Sequence, residues 1–243
     1  MASTSEVGHT KNVTNFETAI TFCTGYGADY DPSNNDLKIP ELTILHSKGK
    51  DALALVKTTQ APFDNVEGDR KNTFKPLKKL ATRIMGALVS SGVSQSVIKD
   101  AETINRKIQG KRANNKEEIT EPGEKPKDTV SVSQQSYDLL IDHFEKLIEL
   151  VSIQPKYNPN EADLKVTALN TYKTELETIN TAVKTTYVPY NNAMDARDKQ
   201  LYDPETGLVA RAQLVKNYVK SIYGASSPQY KTINALRFKT VPR

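Results

Sequence analysis

The chain has 243 residues, 37% hydrophobic and 26% charged, with no tryptophan and a mean hydropathy of −0.56. This is polar, yet Leu, Ile and Val recur too regularly for a disordered chain, so a folded protein with slender cores is expected. The net charge of +4 arises before Asn115, where 16 Lys and Arg face 12 acids, against 17 and 17 afterwards; so small an excess is not the footprint of a nucleic-acid binder.

Residues 1–14 are expected to be a flexible N-terminus: they have neither the basic start nor the apolar run of a secretory signal. A helix follows from about Phe16 to Gly25. It carries Cys23, the single cysteine, which excludes an internal disulfide and reads as a buried spectator beside Ala19, Ile20 and Phe22. The segment YDPSNNDL, from Tyr30, looks like a helix entrance, with Ser33 as cap and Asp36 near the positive helix end. Asp29, Asp31, Ser33 and Asn35 alternate as in a calcium loop, but Asn34 and Pro40 stand where that loop needs glycine and glutamate, so no metal site is read there.

From Leu42 to Phe74 apolar residues recur at steps of three and four: Leu42, Leu45, Val56, Phe63, Val66 and Phe74 lie on one stripe. A helix of roughly forty residues would be about 60 Å long. Pro62 falls inside it, removes the hydrogen bond to the Thr58 carbonyl and predicts a kink, with the hydroxyls of Thr58 and Thr59 available to settle the displaced turn. A cluster of Lys71, Lys75, Lys78, Lys79 and Arg83 follows. A second stripe runs through Leu77, Leu80, Ile84 and Leu88, then comes a break at Gly92 and a third through Ile98, Ala101 and Ile104.

Residues 110–129 hold many charges, prolines and glycines and almost nothing apolar, and read as an exposed linker. After it comes a short alternating exception, VSVS from Val130, and then the pattern returns. A helix from Gln135 to Ser152 leads to YNPNEADL from Tyr157. A long stripe follows through Leu169, Leu176, Val183, Tyr190 and Leu201, with Thr185, Thr186 and Pro189 repeating the proline kink. The last stripes are Leu208, Leu214, Tyr218 and Ile222, and then Tyr230, Ile233 and Leu236.

The return is a repeat. Shifting the chain by 127 lays Tyr30, Pro32, Asp36, Leu37 and Lys38 on Tyr157, Pro159, Asp163, Leu164 and Lys165, and VKTTQAPFDN, from Val56, on VKTTYVPYNN, from Val183. Past Leu201 the second copy carries an additional loop, YDPETG, after which Gly92 matches Gly224. The expected fold class is therefore all-α: two homologous antiparallel helical-bundle units from an internal tandem duplication, 15–109 and 130–243, each with one long proline-kinked helix. Arg70 and Arg197 are matched basic residues on apolar stripes. Each is expected to snorkel to water, the alternative being a buried pair with a carboxylate that the sequence does not identify.

No catalytic, cofactor-binding or metal-ligating constellation is present. His9, His46 and His143 stand apart, and no HExxH, GxSxG, phosphate loop or GxGxxG occurs. The expectation is a non-enzymatic cytoplasmic scaffold or assembly protein that contacts a protein partner or itself. One alternative is a membrane-active protein that inserts Leu80–Ile98, and another a nucleic-acid binder using Lys71–Arg83. No small-molecule substrate is identified. The lysine cluster reads as a solvated helix face, since no aromatic stacking set accompanies it.

Overall fold

A computed structural model describes residues 7–111 and 135–241. The chain is all-helical, with no strand among the described residues. In chain order the helices are α1 (Val7–Gly25), α2 (Ile39–Phe74), α3 (Leu77–Ser90), α4 (Gln95–Gln109), α5 (Tyr137–Ser152), α6 (Val166–Tyr202), α7 (Leu208–Tyr223) and α8 (Pro228–Ala235). Residues 1–6, linker residues 112–129 and the VSVS segment lie outside the described residues.

Two expectations at the helix starts are corrected. Residues 7–14 are not a loose terminus but the first turns of α1, because their side chains have partners to pack against. His9 and Val13 are each 4% exposed, His9 Nδ1 shares a 2.7 Å hydrogen bond with the Tyr202 hydroxyl, and the Asn12 amide brackets Lys239, donating to its carbonyl and accepting from its N–H. Nor do YDPSNNDL and YNPNEADL enter the long helices directly. Each forms a 3₁₀ turn, Asn35–Leu37 or Ala162–Leu164, and α2 and α6 begin only at Ile39 and Val166. Asn34, rather than Ser33, supplies the side-chain cap of the first turn, accepting from the Asp36 N–H.

Contacts divide the chain differently from the sequential units 15–109 and 130–243. One compact unit combines residues 1–63 with 186–243, and the other is 64–185. The physical reason is length: α2 and α6, of 36 and 37 residues, outrun the other helices, of 8 to 19 residues, so the two ends of each must bury their stripes against different partners.

In the first unit α1 packs on α7, and α7 on α8. Phe16, Leu42, Leu201, Leu208, Val219 and Ile233 are 0% exposed and form its core. Gly49 lets α2 approach closely, since a Cβ there would lie 3.2 Å from Leu208 and 3.4 Å from Val13. Cys23 is buried as expected, and burial pushes its thiol up to about 12. In the second unit α4 packs on α5 and on α3, around Leu77, Ile84, Leu88, Ala101, Phe144 and Leu176.

The same local contacts recur in each unit. Buried Tyr30 donates its hydroxyl to the Leu37 carbonyl at 2.9 Å, and buried Tyr157 donates to the Leu164 carbonyl at 3.0 Å. Asp36 pairs with Arg211 of α7 at 2.7 Å, and Asp163 pairs with Arg83 of α3 through both guanidinium nitrogens. α3 and α7 are each followed by a glycine at positive φ, Gly92 at 72° and Gly224 at 82°, a conformation that other residues adopt only under strain.

Candidate interaction surface

Both proline phrases are helical. The α2 assignment runs unbroken past Pro62, and that of α6 past Pro189. Each proline lacks the N–H that would bond the carbonyl four residues earlier, Thr58 or Thr185. The neighbouring hydroxyls bond carbonyls of the preceding turn: Thr58 donates to the Leu55 carbonyl at 3.0 Å, Thr59 to those of Leu55 at 2.8 Å and Val56 at 3.1 Å, and Thr185 to that of Thr181 at 3.1 Å.

In the first unit the two phrases meet. Phe63 stacks on Tyr190, with ring centroids 5.6 Å apart and planes 22° from parallel, and packs at 5.5 Å against Tyr187. Pro62, Thr58 and Thr59 are on the α2 side of this contact and Thr186 and Pro189 on the α6 side. The cluster is incompletely covered: Phe63 and Tyr190 are half-buried, Tyr187 is 45% exposed and Val188 56%. Exposed apolar side chains that adjoin a half-buried aromatic cluster make this the candidate contact surface.

The second unit has a related surface on α6. Thr171, Thr174 and Thr178 line an open recess of about 540 Å³ with Thr73 and Ile179. Their hydroxyls bond the α6 carbonyls of Thr167, Asn170 and Thr174. With those groups satisfied internally, the recess offers mostly carbon to a visitor.

The matched arginines depart from expectation. Arg197 does not snorkel: it is 2% exposed, and its Nε and Nη2 donate to Asp198 Oδ1 at 2.9 and 2.7 Å. The acid is the next residue, a spacing that a helix-face argument passes over because adjacent side chains normally diverge. In the second unit Arg70 lies 4.1 Å over the Tyr137 ring and donates to Asn180 Oδ1 at 3.2 Å. Asn180 in turn donates to Asp138, which also accepts from Lys184 at 2.8 Å; the Lys184 hydrogen bond, before any other influence, holds the Asp138 carboxyl below the usual carboxylate range. The Arg70 network was not identifiable from the sequence, since it depends on which helices face each other.

The basic cluster belongs to the second unit, where much of its charge is engaged. Lys71 pairs with Glu67 at 3.4 Å, Lys78 donates to the Gln109 carbonyl at 3.3 Å and to Gln135 Oε1 at 3.1 Å, and Arg83 pairs with Asp163. Lys75 and Lys79 are exposed. In the Leu80–Ile98 segment, Ala81, Ile84 and Leu88 are 0% exposed and Ile98 7%, all inside the second unit. Among the described residues no helix is long and apolar enough to cross a membrane, and no group of three His, Cys, Asp or Glu side chains could hold a metal ion. No protein-family model matches the chain, and comparison with curated proteins and with solved structures gives no match either.

Proposed function

We propose that this chain is a non-enzymatic scaffold or assembly protein that acts through protein contacts, a second copy of itself included. The observation that carries the reading is the half-covered aromatic cluster of Phe63, Tyr187 and Tyr190 with Val188 exposed beside it. Aromatic side chains that are rigid, large and already partly desolvated are those that anchor interfaces. In the same reading the chain is a tandem duplication. The recurrence of Tyr30–Leu37 as Tyr157–Leu164, of Asp36 as Asp163, each ion-paired to an arginine, and of Gly92 as Gly224 supports this, because these residues fall where the 127-residue shift or its continuation puts them.

In the same reading each proline bends its helix beside this cluster, where Tyr187 and Val188 are exposed. Light scattering from about 1 to 500 µM, a range that spans weak self-association, tests the reading together with crosslinking from a photoreactive residue at the exposed neighbouring position 192. Self-association, or a crosslinked protein partner, that is abolished by Tyr187→Ser with Val188→Asp supports it. A monomer at every concentration whose crosslinks do not change with the substitutions refutes it.

A further inference from the structure

Between α1 and α2 of the first unit runs a groove enclosing about 280 Å³. α2 lines it with His46, Lys50, Leu53 and Lys57, whose spacing of four, three and four puts them on one face, and α1 adds Val13 and Glu17. Its floor is apolar, Val13 and Leu53 being 4% and 7% exposed. His46 is 9% exposed, and its Nε2 is shielded from solvent and has no hydrogen-bond partner. The Glu17 carboxylate stands 3.9 Å from that nitrogen, beyond hydrogen-bonding distance, and is itself mostly in water. A buried ring nitrogen left unbonded is uncommon enough to call for a partner. The charge around it favours an anion, since two lysines face one glutamate.

We infer that this groove binds a compact organic carboxylate with a short aliphatic body. As Glu17 swings outward, one ligand oxygen accepts the Nε2–H of His46, the Lys50 ammonium faces the ligand's charge, and the aliphatic part lies on Val13 and Leu53. Burial lowers the His46 pKa, with Glu17 opposing and Lys50 adding to the shift, so the imidazole is neutral at pH 7 and serves as a hydrogen-bond donor. The aliphatic floor supplies affinity and the donors supply orientation, the usual division of labour in small-molecule sites.

The probe is octanoate, titrated into the full chain at pH 7, with octanol as the neutral control. Calorimetry reads affinity, and the imidazole resonances, assigned among three histidines, read location. Octanoate is expected to saturate and to shift His46 but not His9 or His143. Lys50→Met should weaken binding roughly fivefold or more, and Glu17→Gln should tighten it about threefold, as loss of a charged partner and loss of a like charge require. Helicity of each variant is checked by circular dichroism. Octanol binding as well as octanoate, no saturation by about 10 mM, or an affinity unchanged in Lys50→Met overturns the assignment. A His46 resonance that responds to Glu17→Gln but not to octanoate overturns it too, and gives the nitrogen to Glu17 alone.

Discussion

Cutting the chain between its halves tests the architecture most directly. Residues 7–63 build their unit with residues 186–241, and residues 64–111 build theirs with 135–185, so both cores draw on both sides of the segment 112–134. A protease site inserted between residues 120 and 121 and then cleaved should therefore leave the two fragments bound to each other. What cleavage removes is the tether, whose effective concentration is on the order of 1 mM. At 1 µM protein the loss is RT ln 1000, about 4 kcal/mol, with about 1.4 kcal/mol more for every further tenfold dilution. For a chain of this length that is a fall in Tm of roughly 8–15 °C, and the Tm becomes dependent on concentration. Size-exclusion chromatography of the nicked protein at 1 and 100 µM, with melting curves at both, measures these quantities. Fragments that separate, each keeping its helicity and a Tm that ignores concentration, would refute the division into units.

Removing the Tyr157 hydroxyl with Tyr157→Phe leaves the Leu164 carbonyl buried without its donor and should cost about 1–2 kcal/mol in urea unfolding. Tyr30→Phe should cost a similar amount at Leu37, and the double substitution should add within about 0.5 kcal/mol because the two sites share no partner. Gly207→Ala would put a methyl 2.6 Å from the backbone N and O of Asp203, although its φ of −70° is ordinary; a loss of about 2–3 kcal/mol is expected, and an unchanged Tm would show that the loop yields. His143 is 4% exposed, and its pKa is lowered by burial first and by Lys107 next. Its unfolded form takes up a proton at about 6.5, before the folded form does, so the protein is most stable above that pH and loses stability as pH falls through it. His143→Gln should flatten the decline in Tm between pH 7.5 and 5, and an unaltered decline would exclude His143 as its source.

Much of the fold can be read from residue order because helical periodicity is a local property. The stripes from Leu42 to Phe74 and from Leu169 to Leu201 correspond to α2 and α6, Gly92 and Gly224 mark the ends of α3 and α7, and the shielding of Cys23 follows from its apolar neighbours. The exposed pair Tyr187 and Val188 was half legible: the repeated phrase singled out the region, but nothing in it said that Phe63 would pack against both Tyr187 and Tyr190. The helix at residues 7–14 was missed because its partners, Tyr202 and Lys239, are about 190 and 227 residues away. The same holds for Arg197, whose burial follows from its position in the first unit, and for His46, whose unbonded nitrogen appears only when α1 is laid beside α2. An amphipathic stripe states which face of a helix must leave water. It does not state against what, because many apolar faces of similar width satisfy the same hydrophobic demand. Which of them pair is settled by the summed packing of the whole chain, so residue order determined the helices and tertiary structure alone decided which ends of α2 and α6 share a core.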